Sequence, residues 1–165
     1  MKTKKIVITA LMASMVCVAT MIIKIPSPMK GYLNIGDCIV LLCGWMLSGG
    51  YGFVAAGLGS ALADLFSGYV LYAPATFIIK GAMALIAFGC CKLMQKKTGR
   101  FPALLVGALL AEITMVLGYF VFEGFLYGFI PSAVNIPANA VQGAAGIILG
   151  IALIKMLDKF KISVD

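Results

Sequence analysis

Histidine is absent from this 165-residue chain, tryptophan occurs once, and six acidic side chains stand against thirteen lysines and arginines. Without imidazole the commonest general base is missing, and with it the thiol–imidazole pair and most zinc sites. Charged residues make up 12% of the sequence, where a water-soluble domain carries about 25%. A chain so poor in charge has no polar coat for an aqueous surface. No GxxxxGK[ST] phosphate loop occurs, so ATP hydrolysis of the usual kind is excluded for this chain alone. None of the five cysteines (Cys17, Cys38, Cys43, Cys90 and Cys91) belongs to a CxxC pair. Adjacent Cys90 and Cys91 are badly placed for an ordinary disulfide, and the five read as small apolar packing residues. The duplicated, interrupted helices of a large secondary transporter are missing too.

What the chain has is hydrophobicity, 62% of its residues. At this length it leaves no room for a separate soluble part, so residues 1–165 are expected to form a single integral-membrane domain. A helix needs roughly 20 residues to cross about 30 Å of hydrocarbon. Six segments qualify, at about 6–24, 35–48, 51–68, 74–94, 102–122 and 133–157, the second of them short. The expected class is therefore an all-α, multi-pass membrane protein with six transmembrane helices. The basic start Lys2-Thr-Lys-Lys5 precedes an apolar run, Ile6 to Ile23, longer than that of a typical secretory signal. It reads as a retained first helix. Prolines punctuate the rest: Pro74, Pro102 and Pro131 stand at or before helix starts, while Pro137 is expected to kink the last helix near Asn135.

The net charge of +7 follows topology rather than a nucleic-acid surface. With both termini in the cytoplasm, Lys2, Lys4, Lys5, Lys92, Lys96, Lys97, Arg100, Lys155, Lys159 and Lys161 all fall inside, ten of the thirteen. Only Lys24 and Lys30 fall outside, which fits the positive-inside rule. The remaining lysine, Lys80, lies within a membrane helix, about 9 Å from its outer end at 1.5 Å per residue. A charge there costs about 2.5–3.5 kcal/mol on insertion scales.

Other helices supply polar groups at comparable depth: Asp37, Asp64, Glu112 with Tyr119 two turns above it, and the face formed by Asn135, Asn139 and Gln142. Each has a local alternative. Asp37 and Glu123 sit where solvent would hydrate them, Asp64 would serve simply as a partner for Lys80, and the asparagines would satisfy backbone groups freed by Pro137. Trp45 reads as an interfacial anchor. Shared depth across separate helices favours a cavity instead, suited to a small neutral or zwitterionic ring compound. Small residues at Gly57, Ser60, Gly143, Gly146 and Gly150 allow close helix packing. Ala10 and Ser14, four apart on the first helix, serve either internal packing or an exposed contact face.

The ordered set of segments Ala10-x-x-x-Ser14, Tyr32-Leu-Asn-Ile-Gly-Asp37, Ala63-Asp64-Leu65, Ala73-Pro-Ala-Thr-Phe-Ile-Ile-Lys80-Gly81 and Asn135-Ile-Pro-Ala-Asn139-Ala-Val-Gln142-Gly143 resembles one family over nearly the whole chain. It is that of the substrate-binding S components of energy-coupling factor (ECF) vitamin transporters, the riboflavin type especially. The resemblance implies a multi-pass protein of the cell membrane that captures a small water-soluble vitamin or precursor from outside. A vitamin B6 form or hydroxymethylpyrimidine is favoured, with riboflavin as a further candidate. It implies docking through Ala10 and Ser14 on a transmembrane coupling subunit with two ATPases, which use the ATP; the chain itself needs no cofactor or metal. The loop Pro26 to Asn34, with Tyr32, Leu33 and Asn34, would act as a lid. Two rivals remain. One is an ion-coupled secondary transporter or channel relaying protons through Asp64, Lys80 and Glu112 as an oligomer. The other is an intramembrane enzyme, for which no nucleophile or metal set completes a site.

Overall fold

The computed structural model describes residues 2–27 and 31–160. Residues 28–30, in the middle of the expected lid, and Lys161 lie outside that range. The elements run α1 (Lys2–Ile22), β1 (Lys24–Pro26), β2 (Tyr32–Asn34), α2 (Asp37–Met46), α3 (Gly49–Phe66), α4 (Ala73–Thr98), α5 (Arg100–Tyr127), a short α6 (Phe129–Ser132), a 3-10 turn (Ala133–Asn135) and α7 (Ile136–Lys159). Six long helices are present, as the apolar segments predict. Four stretches, Thr3–Ile22, Ala73–Thr98, Arg100–Tyr127 and Phe129–Lys159, are long and apolar enough to cross a membrane.

Helix α2 is the shortest of the six. Its ten residues reach about 15 Å. It stops near the level where Gly49, opening α3, meets Leu85 and Phe88, about 20 Å along α4 from its start. Helix α3 then returns beside it. The two form a folded-back pair packed on α4, which also contacts α5.

Chain reversals follow residue type. Gly99 joins α4 to α5 and Gly128 joins α5 to α6, with φ of 87° and 94°, values that a side chain with Cβ strongly disfavours. Pro74 sits in the first turn of α4, where its missing N–H leaves no hydrogen bond unmade. Pro137 does the same for α7. The last helix is interrupted near Asn135 as expected, by a 3-10 turn over Ala133–Asn135, but Pro137 stands in the first turn of α7 rather than inside the helix. The antiparallel hairpin of β1 and β2, pairing Ile25 with Leu33, was also not expected. It caps the end of the bundle where α1 stops and α2 begins.

Packing is inverted relative to a soluble protein. Large apolar side chains such as Ile78, Leu93, Ile113, Leu117, Val141 and Ile148 point outward, as a hydrocarbon solvent permits. Inside, Val16, Leu41, Met83, Met115 and Ile154 are fully buried beside alanines and glycines. A Cβ on Gly57 would lie 2.6 Å from the carbonyl oxygen of Phe77, so α3 and α4 approach backbone to backbone there. Trp45 packs partly into the core near Gly150 rather than standing free as an anchor. Ala10 and Ser14 face outward on α1, which removes internal packing as their role; Ala13 is the small residue turned toward α3, against Gly59.

Candidate functional site

Five helices and the hairpin bring their polar side chains to one end of the bundle, in two layers. The deeper layer centres on Asp37, in the first turn of α2, which is 0% exposed. Its Oδ1 is ion-paired with the Lys80 ammonium from α4. Gln142 of α7 donates to its Oδ2 at 2.6 Å, and the Asn34 backbone N–H donates to the Gln142 carbonyl oxygen at 2.9 Å. The hairpin is thereby tied to α7 and, through it, to α2. Lys80 is 3% exposed and its partner is Asp37, not Asp64. Glu112 of α5 lies behind this layer against α7. A Cβ on Gly146 would meet Asp37 Cβ at 2.8 Å and Glu112 Oε1 at 3.0 Å, so only glycine lets α7 approach both carboxyls. Neither oxygen of Glu112 has a hydrogen-bond partner among the described residues.

The upper layer surrounds a pocket of about 480 Å³, counting the space at its mouth. Asp64 of α3 is 4% exposed and accepts from the Tyr32 hydroxyl at 2.6 Å through Oδ1. Burial first, and then the Asp64 carboxylate, push the Tyr32 phenol well above its ordinary value, so it stays a donor. Asp64 Oδ2 is unpartnered among the described residues, as are the neighbouring hydroxyls of Ser60 and Ser27. Thr76 of α4 and Tyr119 of α5 share a hydrogen bond of 3.0 Å between their hydroxyls. Glu123, one turn above Tyr119, accepts from Asn135 Nδ2 with both oxygens at 2.9 Å and from the Tyr72 hydroxyl at 3.3 Å. Tyr69 packs on Tyr32 with ring centroids 4.7 Å apart. The hairpin lies directly above: a Cβ on Gly31 would be 3.7 Å from Glu123 Oε1.

Of the expected site residues, Asp64, Lys80, Tyr119, Asn139 and Gln142 line this pocket, with Tyr32 and Asn34 from the hairpin. Asp37, Glu112 and Asn135 do not. The first holds Lys80 from beneath, the second faces glycines of α7, and the third spends its amide on Glu123. Leu33 alternates away from Tyr32 and Asn34 along the strand and does not line the cavity. Glu123 is not hydrated at an interface but 2% exposed. Sequence reasoning also passed over Ser60 and Thr76. Each of these three sits four residues from a group it did select: Ser60 from Asp64, Thr76 from Lys80, Glu123 from Tyr119. That spacing stacks side chains on one helix face, and it was the signal available.

Known proteins are similar to this chain in sequence and in fold. A protein of Pyrococcus woesei, described as uncharacterized and lying in the gap 3′ region, is 37% identical over 145 residues, 87% of this chain and 95% of that protein. The solved structure of the S component of a bacterial ECF transporter matches with a TM-score of 0.78 at 25% identity, covering 97% of this chain and 98% of that one. The family model for the ECF-type riboflavin transporter S component matches residues 1–159. With fold and sequence agreeing over nearly its full length, the chain belongs to the family of ECF-type riboflavin transporter S components.

Proposed function

We propose that this membrane protein is the high-affinity binding subunit for uptake of a small water-soluble vitamin or vitamin precursor across the cell membrane. The observation that carries the reading is the upper pocket, where buried oxygens of Asp64, Ser60 and Ser27 lack hydrogen-bond partners among the described residues. Buried polar atoms are nearly always satisfied, and a pocket lined with unsatisfied ones is complementary to a ligand with donors of its own. Asp64, Lys80, Tyr119, Asn139 and Gln142 would contact that ligand, with Asp37, Glu112 and Asn135 supporting them from behind. The hairpin carrying Tyr32, Leu33 and Asn34 would be the lid, its Tyr32–Asp64 bond closing it. A vitamin B6 form or hydroxymethylpyrimidine is the favoured ligand, with riboflavin as a further candidate.

The family consists of substrate-binding components of transporters, not of enzymes. Transport of the loaded chain would need an ECF coupling subunit and two ATPases, which hydrolyse the ATP. Outward-facing Ala10 and Ser14 offer a contact for the coupling subunit: Ala10 borders a shallow apolar groove between α1 and α3 lined by Ile6, Tyr51, Val54 and Leu58. Both termini would lie in the cytoplasm, where basic residues collect; Arg100, opening α5, pairs with Asp158 near the end of α7 at 2.7 Å, placing those two ends together.

The test is uptake of radiolabelled vitamin by cells producing the chain with and without the coupling subunit and ATPases. Binding without the partners, and accumulation only with them and with ATP, is the expected result. Accumulation by the chain alone, collapsing with the proton gradient, would instead establish the ion-coupled transporter.

A further inference from the structure

The pocket has an unbalanced charge. Its ionisable lining, among the described residues, consists of Asp64, Glu123, Lys80 and four phenols, Tyr32, Tyr69, Tyr72 and Tyr119. The positive charge of Lys80 is drawn down to Asp37, which lies beneath the pocket and outside its lining. Lys24, another described cation at this end of the bundle, donates to Ser67 Oγ at 2.9 Å and does not line the cavity. Two carboxyl groups therefore face the cavity, and among the described residues neither forms an ion pair. Among the described residues, Glu123 accepts hydrogen bonds from neutral donors, Asn135 and Tyr72. One oxygen of Asp64 accepts from a phenol, and the other, in a side chain 4% exposed, has no hydrogen-bond partner among the described residues. A buried carboxylate is expensive unless paired, and no described cation lies in an ion pair with either.

The walls favour the same sign. Tyr69 bridges Tyr32 and Tyr72, with centroid separations of 4.7 and 6.3 Å. Tyr119 holds the Lys80 ammonium 5.6 Å from its ring centroid, so one of the four rings already carries out cation–π contact here. Aromatic faces attract cations through their quadrupole and stack on flat rings. A phosphorylated ligand would meet no unengaged described cation. A neutral flavin would leave both carboxyls uncompensated.

Resting on the binding-subunit reading above, we propose that the ligand is a small cationic heterocycle or aromatic amine, its charged nitrogen seated at Asp64 Oδ2 beside Ser60, its ring between the tyrosines, and Glu123 drawing it in at the mouth. The ligand thus completes the pocket's charge balance rather than merely filling its volume. It also couples binding to lid closure, because Asp64 holds Tyr32 of the hairpin with one oxygen and the ligand with the other.

The experiment compares compounds that differ mainly in charge, on the purified full chain in nanodiscs, by calorimetry: pyridoxamine against pyridoxine, with thiamine, riboflavin and pyridoxal phosphate alongside. A charge-assisted hydrogen bond gives pyridoxamine an advantage of about tenfold or more over pyridoxine. Asp64→Asn, and separately Glu123→Gln, narrow that ratio while circular dichroism and elution volume stay those of the wild type. Equal or tighter binding of pyridoxine, or tightest binding of riboflavin or the phosphate, overturns the proposal but leaves a binding subunit. If none of the five binds, the compound extracted from protein purified from its native membranes decides, and one without a basic nitrogen overturns it. A chain that retains and binds nothing overturns the binding-subunit reading as well.

Discussion

Asp37 and Asp64 are both buried aspartates at the same end of one bundle, and they are built for opposite purposes. Asp37 has each oxygen engaged, by Lys80 and by Gln142, and lines no cavity. Asp64 lines the pocket with one oxygen on Tyr32 and the other buried without a hydrogen-bond partner among the described residues. A satisfied buried carboxylate holds helices together; an unsatisfied one waits for a partner from outside. The deep layer is therefore read as structural and the upper layer as receptive. Lys80, which the sequence singles out as a ligand contact, belongs to both, since it lines the pocket but spends its charge below.

The comparison breaks most sharply at Lys80. Lys80→Ala strands the Asp37 carboxylate in a low-dielectric core, a loss of about 3–5 kcal/mol. It should lower the thermal midpoint in detergent strongly, and the double variant Asp37→Asn/Lys80→Met should recover most of the loss. A single variant as stable as the wild type would mean the pair contributes nothing to the fold. Next comes Gly146→Ala. Its new Cβ must displace α7 from Asp37 and Glu112, with an overpacking cost of about 1–3 kcal/mol. Gly50→Ala, with nothing within 4 Å of the added atom, is the matched control and should leave the midpoint in place.

Asp64→Asn should do the reverse of Lys80→Ala. The amide keeps an acceptor for Tyr32, so stability holds, while affinity for the natural ligand falls about tenfold. Stability loss with unchanged affinity would exchange the roles assigned to the two aspartates. The smallest effect on the isolated chain is expected at Ala10 and Ser14. Leucine at either position should leave binding and thermal midpoint untouched and yet abolish uptake in the presence of the partner subunits. Undiminished uptake would remove this face of α1 from docking.

Much of the fold was legible because lipid imposes a simple code: helix length, proline at helix starts and lysines collected on one side. The code fails where length and periodicity stop deciding. Helix α2 is only ten residues long and packs on α4 and α7, and hydropathy does not register where it stops. The hairpin of β1 and β2 pairs three residues with three, too few for an alternation to stand out. The site divides in the same way. Spacing found the helix faces bearing Asp64, Lys80, Tyr119 and Gln142, but pairing was beyond it. That Lys80 meets Asp37, and that Asn135 turns to Glu123 and leaves Asn139 to the pocket, depends on how α2, α5 and α7 rotate against one another. Gly143 and Gly146 set that rotation through contacts a sequence does not display.

Native mass spectrometry of the wild type and Asp64→Asn, released from identical nanodiscs after growth on the same medium, tests the receptive pocket most directly. The account predicts a small-molecule adduct on the wild type that is lost or greatly reduced on a folded Asp64→Asn protein. Equal adduct occupancy on both, or a wild type bare of any small molecule under every growth condition, would contradict it.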